Sequence, residues 1–192
     1  MNVTITTHGP VRCLSVSGVG APGGREHLGA VGALTAVAAE LPVEPGPLEG
    51  QWWVEDDGRP PLEVPRELWR WHLLLPLAEG SQAEKGPGEG RAKESVVEGL
   101  EAGMVEAARE RARASGAAVD RVRLAVVTPG RCAQVLHVGP FSEEHVSLAV
   151  LDAYLAEHDL VPNGPHHEVY LTAWDVPVPR TLLRQPVRER VG

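Results

Sequence analysis

The chain has 192 residues, 43% of them hydrophobic and 23% charged, enough apolar material for a sizeable core in one domain or two small halves. Its net charge of −8, without a basic stripe to displace counterions from phosphates, argues against direct nucleic-acid binding. No apolar run reaches membrane-spanning length, and residues 1–10 lack the basic-then-apolar pattern of a secretory signal, so a cytoplasmic protein is expected.

Residues 11–17 alternate with period two and predict a strand. The Gly/Pro loop 18–24 follows; it lacks the Lys-Ser/Thr of a phosphate loop and the glycine spacing of a dinucleotide site. Leu28, Val31, Leu34, Ala38 and Leu41 at helical spacing predict a helix over 25–41, ended by Pro42. Residues 48–54 and 68–75 read as strands joined by a loop. Residues 78–90 have linker composition, and 92–115 reads as a helix with Val97, Leu100, Met104, Ala107 and Ala108 as its apolar stripe. Strands 122–127 and 132–138 flank the turn Thr128-Pro129-Gly130. Ser142 is the expected N-cap of a helix reaching about residue 158, with Glu143 and Glu144 suited to the positive end of its dipole. Strands 168–172 and 182–187 follow the turn Asn163-Gly164-Pro165.

An internal repeat emerges from this order. The pattern R-C-x-x-V-x-x-V-G occurs at Arg12–Gly20 and again at Arg131–Gly139. A loop containing proline, a helix and a Gly-Pro turn follow each copy, with an aromatic five residues after the proline: Trp52 after Pro47, and Tyr170 after Pro165. A duplicated strand–helix–strand–strand unit is therefore expected, with halves at about 8–77 and 119–188 joined by residues 78–118. Such halves usually pack about a pseudo-twofold axis, and a ligand cleft is expected between them.

Aromatic residues are sparse at 4%, yet five are Trp, four of them at 52, 53, 69 and 71. On an extended strand Glu168, Tyr170 and Thr172 share one face, and His167, Val169 and Leu171 the other. If the second set faces the core, Glu168 and Tyr170 face the cleft. A carboxylate beside aromatics can attract a cation or act as a general base on water; an exposed strand glutamate is the plainer alternative. Trp52, aligned with Tyr170 by the repeat, is expected to face it across the cleft, where flat aromatic walls would stack on a polycyclic ligand. Trp69 and Trp71 share a strand face with Leu73 and Leu75, a pattern that fits core packing as well as ligand contact. Trp53 is expected in the core and Trp174 at the rim. His137 fits a structural hydrogen bond or a ligand contact. His166 and His167 point opposite ways and cannot share a metal, and no other metal-ligand spacing occurs, so no metal is expected. Cys13 and Cys132 occupy equivalent strand positions and read as small buried hydrophobes, while Gly20 and Gly139 allow strand-to-loop turns.

The segments CAQVLHVGPFSEE (132–144), GPHHEVYL (164–171) and LLRQPV (182–187) resemble the C-terminal half of GyrI-like small-molecule-binding proteins. LEGQWWVEDD (48–57) and WRWHLLL (69–75) are similar to the stand-alone branch of that family. Phe141 stands where tyrosine is common after the Gly-Pro, and Ala21 replaces a frequent aspartate. The resemblance implies an α+β fold of two β-α-β-β units in pseudo-twofold arrangement, with Glu168 as the ligand-binding carboxylate. It further implies a cyclopropanoid cyclopropyl hydrolase, because some stand-alone members open the activated cyclopropane of duocarmycin- and yatakemycin-type DNA alkylators with water. In that reading Glu168 is the base and Tyr170 positions water or donates a hydrogen bond. Trp52 with Trp69 or Trp71 forms the walls, His137, Phe141 and Trp174 add contacts, and no cofactor is required. The alternatives are a non-catalytic module that binds or sequesters hydrophobic small molecules, and a gyrase-interacting protein. The expected partner is a hydrophobic polycyclic small molecule.

Overall fold

Residues 1–55, 63–77, 102–173 and 175–190 are described by the computed structural model. They form an α+β fold that divides into two compact units, the first comprising Met1–Pro10, Pro47–Trp53 and Thr128–Gly192, the second Val11–Gly46 and Val54–Val127.

The first unit carries strands β1 (Thr4–His8), β3 (Glu49–Trp53), β6 (Gly130–Val138), β7 (Leu160–Pro162), β8 (His166–Tyr170) and β9 (Arg180–Glu189), and helix α3 (Glu144–Glu157). Its antiparallel order is β1-β6-β9-β8-β3, with β7 on β9. Period-two alternation brings Ala133 and Val135 of β6 and Leu183 and Val187 of β9 into one cluster. Leu151 and Leu155, one turn apart on α3, pack into it together with Leu160.

The second unit contains β2 (Val11–Val19), helix α1 (Arg25–Ala38), β4 (Arg70–Pro76), helix α2 (Ala102–Ala112) and β5 (Arg123–Val127), with strand order β4-β2-β5. Ala30, Ala33, Leu34 and Val37 of α1 are buried, as are Leu14, Val16, Trp71 and Leu73 of the strands. Gly18 faces Trp71, where an added Cβ would lie 2.3 Å from the indole, so glycine is required by close approach. His27 of α1 meets the same indole edge-on at 5.7 Å.

The two units share a register. β2 pairs β4 with Cys13↔Pro76 and Val16↔Leu73; β6 pairs β9 with Cys132↔Pro186 and Val135↔Leu183. Both strands end at a glycine of positive φ, Gly20 at 140° and Gly139 at 136°. The N–H of Gly20 donates to Trp69 O, and that of Gly139 to Pro179 O. Cys13 and Cys132 are both buried.

Several boundaries differ from expectation. Strands β1 and β7 carry too little apolar alternation to be read from sequence. Helix α1 stops at Ala38, where bonds from Glu40 N–H to Val37 O and Leu41 N–H to Ala38 O tighten the last turn. Ser142 is not a cap: Phe141–Glu143 forms a 3₁₀ turn, and Glu143 precedes α3 without a side-chain cap bond. β8 runs from His166 to Tyr170, and Thr172 lies beyond it, its Oγ accepting from Arg180 N–H. The linker 78–90 and the start of the helix expected at 92–115 lie outside the described residues. No helix among the described residues is long and apolar enough to cross a membrane.

Candidate functional site

The β3–β8 pairing builds the site inside the first unit. Its register sets Gly50 opposite Glu168 and Trp52 opposite His166, so alternation puts Gly50, Trp52, His166, Glu168 and Tyr170 on one sheet face. Trp52 Nε1–H donates to Tyr170 Oη at 3.2 Å, and Tyr170 O–H donates to Glu168 Oε2 at 2.8 Å. Trp52 and Tyr170 are thus hydrogen-bonded neighbours on one face. The expectation that they face each other across a cleft is corrected here, because their strands are paired side by side. Gly50 makes the contact possible: an added Cβ would lie 2.8 Å from both Trp52 Nε1 and Tyr170 Oη.

The turn before α3 supplies the next residues. The Phe141 ring meets Tyr170 edge-on, with centroids 6.0 Å apart and planes at 82°. Glu144, the first residue of α3, has its Oε1 buried without a hydrogen-bond partner among the described residues; His166 Nε2 is in the same condition.

Burial dominates the electrostatics. It pushes the Glu168 carboxyl up to about 8, the charge of Glu144 adds to the rise, and the hydrogen bonds from Tyr170 and Trp52 oppose it. Burial likewise pushes Glu144 up to about 7. Tyr170 is held well above its ordinary value, first by burial and then by the charge of Glu168. His166 is lowered to about 4 by burial and is therefore neutral at pH 7. The cluster offers carboxyl groups that exchange protons near neutrality, a phenol already aimed at one of them, and aromatic surface on the same face.

The opposite face of the same strands is charged and buried. Glu49 Oε2 lies 3.7 Å from both His167 Nε2 and Arg184 Nη1. His167 points away from His166, as alternation requires, and is fully buried. Among the described residues no group of three or more His, Cys, Asp or Glu side chains is arranged to hold a metal.

The remaining predicted residues lie as follows. His137 is buried beside the helix start, where its Nε2–H donates to Pro140 O at 3.2 Å and its Nδ1 pairs with Ser147 Oγ at 2.9 Å. Both ring nitrogens are occupied in tying β6 to α3, the structural use that its sequence position allowed. Trp69 and Trp71 belong to the second unit. Trp71 is fully buried there, in the packing role also open to it from sequence, and Trp69 Nε1–H donates to Val64 O at 3.1 Å. Trp53 points away from Trp52 but is 38% exposed, so it is not the core residue expected: alternation set its direction, not its cover. Trp174 lies outside the described residues. A separate surface pocket of about 290 Å³, lined by Arg131, Tyr154, His158 and Leu160 among others, contains none of the predicted residues.

Sequence reading missed Glu144, Gly50 and His166 as site residues. A signal existed for Gly50, which stands three residues after Pro47 as Glu168 stands three after Pro165. Glu144 looked like an ordinary first-turn carboxylate, and only tertiary packing buries it.

No protein-family model matches the chain, and comparison with curated proteins gives no match. Solved structures do match. A conserved uncharacterized protein of Listeria innocua is 26% identical with a TM-score of 0.76, over 97% of this chain and 92% of its own. A hydrolase encoded by lin2189 of Listeria innocua is 25% identical with a TM-score of 0.77, over the same shares. The EcmrR C-terminal domain, at 11% identity and a TM-score of 0.59 over 98% of both chains, shares the fold alone. The chain is thus structurally similar to Listeria innocua hydrolases at 25% identity, and it shares a GyrI-like fold with the EcmrR C-terminal domain.

Proposed function

We propose that the protein hydrolyses cyclopropane-bearing DNA alkylators of the duocarmycin and yatakemycin type, and so confers resistance to them. The observation that carries this reading is the Trp52–Tyr170–Glu168 hydrogen-bond chain on one sheet face, with Phe141 edge-on to Tyr170. In such toxins the strained ring is conjugated to a dienone. Water attacks the ring CH₂, a C–O bond forms, and the ring C–C bond breaks. Its electron pair flows into the dienone, whose oxygen becomes a phenol on taking a proton. Glu168 removes the water proton, Tyr170 holds the water or donates to the developing phenolate, and Trp52, Tyr170 and Phe141 give a flat ligand aromatic surface. A carboxyl raised toward 8 is a stronger base than an ordinary one, at the cost of a smaller ionised fraction at pH 7.

The similarity to the lin2189 hydrolase, across 97% of the chain, supports hydrolysis. We also read the two halves as copies of one β-α-β-β unit, a reading supported by the equivalent registers of Cys13↔Pro76 and Cys132↔Pro186. A binding module that sequesters its ligand is the second reading. It is favoured by the protonation of Glu168 near neutrality, which makes the carboxyl a neutral hydrogen-bond partner.

The test is incubation with a duocarmycin-type cyclopropane compound, following the water-added product by mass spectrometry, with Glu168→Gln alongside. Multiple turnovers lost in the variant support the hydrolase. Quenched Trp fluorescence without product supports sequestration and refutes hydrolysis of that compound.

A further inference from the structure

A second carboxyl group is buried beside this site: Glu144 follows the Phe141–Glu143 turn, whose Phe141 ring lies edge-on to Tyr170, the donor to Glu168, and the two carboxyls are engaged differently. Glu168 Oε2 accepts the Tyr170 hydroxyl at 2.8 Å, an arrangement that favours its ionised, accepting form. Glu144 presents a buried Oε1 with no hydrogen-bond partner among the described residues. A buried carboxylate oxygen without a donor is costly, whereas a protonated carboxyl at that place is nearly neutral and has a proton to give. The two groups belong to different elements, Glu144 being the first residue of α3 and Glu168 the middle residue of β8. On the face that carries Glu168 the other titratable groups of β8 are Tyr170 and His166; Glu143 and His145 flank Glu144 in the chain, His137 of β6 is engaged with Ser147 and Pro140 O, and Glu49 of β3 and His167 of β8 lie on the opposite sheet face.

We propose that Glu144 is the second catalytic carboxyl of this site: the pair shares one proton, and in the arrangement that reacts this proton sits on Glu144, so that Glu168 takes the proton of the attacking water and Glu144 delivers one to the ligand oxygen that gains charge. The proposal rests on the hydrolase reading above. Its proton balance closes without any further reagent. One proton leaves water for Glu168, one leaves Glu144 for the phenol oxygen, and transfer from Glu168 back to Glu144 restores the pair. The upward displacement of both carboxyls by burial, with the charge of Glu144 adding to that of Glu168, fits two groups that cannot both ionise near pH 7.

The experiment has two arms on the full chain. First, infrared titration of the protonated-carboxyl band compares wild type, Glu144→Gln and Glu168→Gln without ligand. The Glu168 midpoint is expected to fall in Glu144→Gln, because a like charge is removed. Second, the pH profile of turnover is measured on a duocarmycin-type probe. Wild type is expected to lose activity at alkaline pH as the pair gives up its last proton. Glu144→Gln is expected to lose that limb and about 100-fold in kcat, with KM little changed, while Glu144→Asp recovers part of the rate. An unchanged Glu168 midpoint overturns the pair. An unchanged midpoint cannot be blamed on misfolding if the near-ultraviolet spectrum is native. A shifted midpoint with full activity in Glu144→Gln overturns the acid role. A shifted midpoint with no turnover by wild type overturns the hydrolase reading, and the acid role with it, but leaves the shared proton standing.

Discussion

Replacing Glu168 by glutamine should stabilise this protein above neutral pH. The carboxyl is raised from 4.5 to about 8 in the folded chain, mainly by burial. The unfolded chain releases the proton near the ordinary value and the folded chain holds it, so the folded state binds more protons between those limits. Stability contributed by this group is therefore intact below about pH 4.5 and declines as pH rises toward 8. At about 1.4 kcal/mol per pH unit the full cost of ionising Glu168 approaches 4–5 kcal/mol. Glutamine removes that cost, keeps an oxygen that can accept from Tyr170, and spares Glu144 a charged neighbour. The expected gain is about 2–4 kcal/mol at pH 9, shrinking to less than about 1 kcal/mol at pH 4.5. Urea unfolding of both proteins at pH 4.5, 7 and 9 measures it, with m-values checked for constancy. Parallel stability curves over this range would show that Glu168 is ordinarily solvated and would sink the electrostatic account of the site.

Gly50→Ala is expected to displace Trp52 or Tyr170, since its Cβ would lie 2.8 Å from both polar atoms. The overpacking should cost about 1–3 kcal/mol in urea unfolding and abolish ligand-induced Trp quenching. Gly29→Ala, on an open face of α1 with nothing within 4 Å, is the opposite case and should gain about 0.5–1 kcal/mol by the same measurement. Trp71→Ala should cost about 3–5 kcal/mol and lower Tm by about 6–20 °C in a thermal melt. Native stability with lost ligand binding would instead make Trp71 a ligand contact.

The parts of this protein that sequence alone determined are those governed by local periodicity. Alternation over residues 166–170 settled that Glu168 and Tyr170 share a face and that His167 turns away. The R-C-x-x-V-x-x-V-G repeat located two strands, two buried cysteines and two glycines that leave their strands with positive φ. Chain geometry imposes these relations within a few residues, whatever the rest of the molecule does.

What tertiary structure decided are the long-range choices. Trp52 is 118 residues from Tyr170, and only the β3–β8 register makes them hydrogen-bonded neighbours rather than opposed walls. Five tryptophans are alike as letters, yet Trp52 joins the site, Trp71 fills a core and Trp53 reaches solvent, because burial depends on what packs over each strand face. Glu144 sits on a helix whose first turn gave no reason to single it out. It enters the site only because Leu151 and Leu155 seat α3 on the sheet and fix where that helix begins, and from there burial turns an ordinary glutamate into a group that titrates near neutrality.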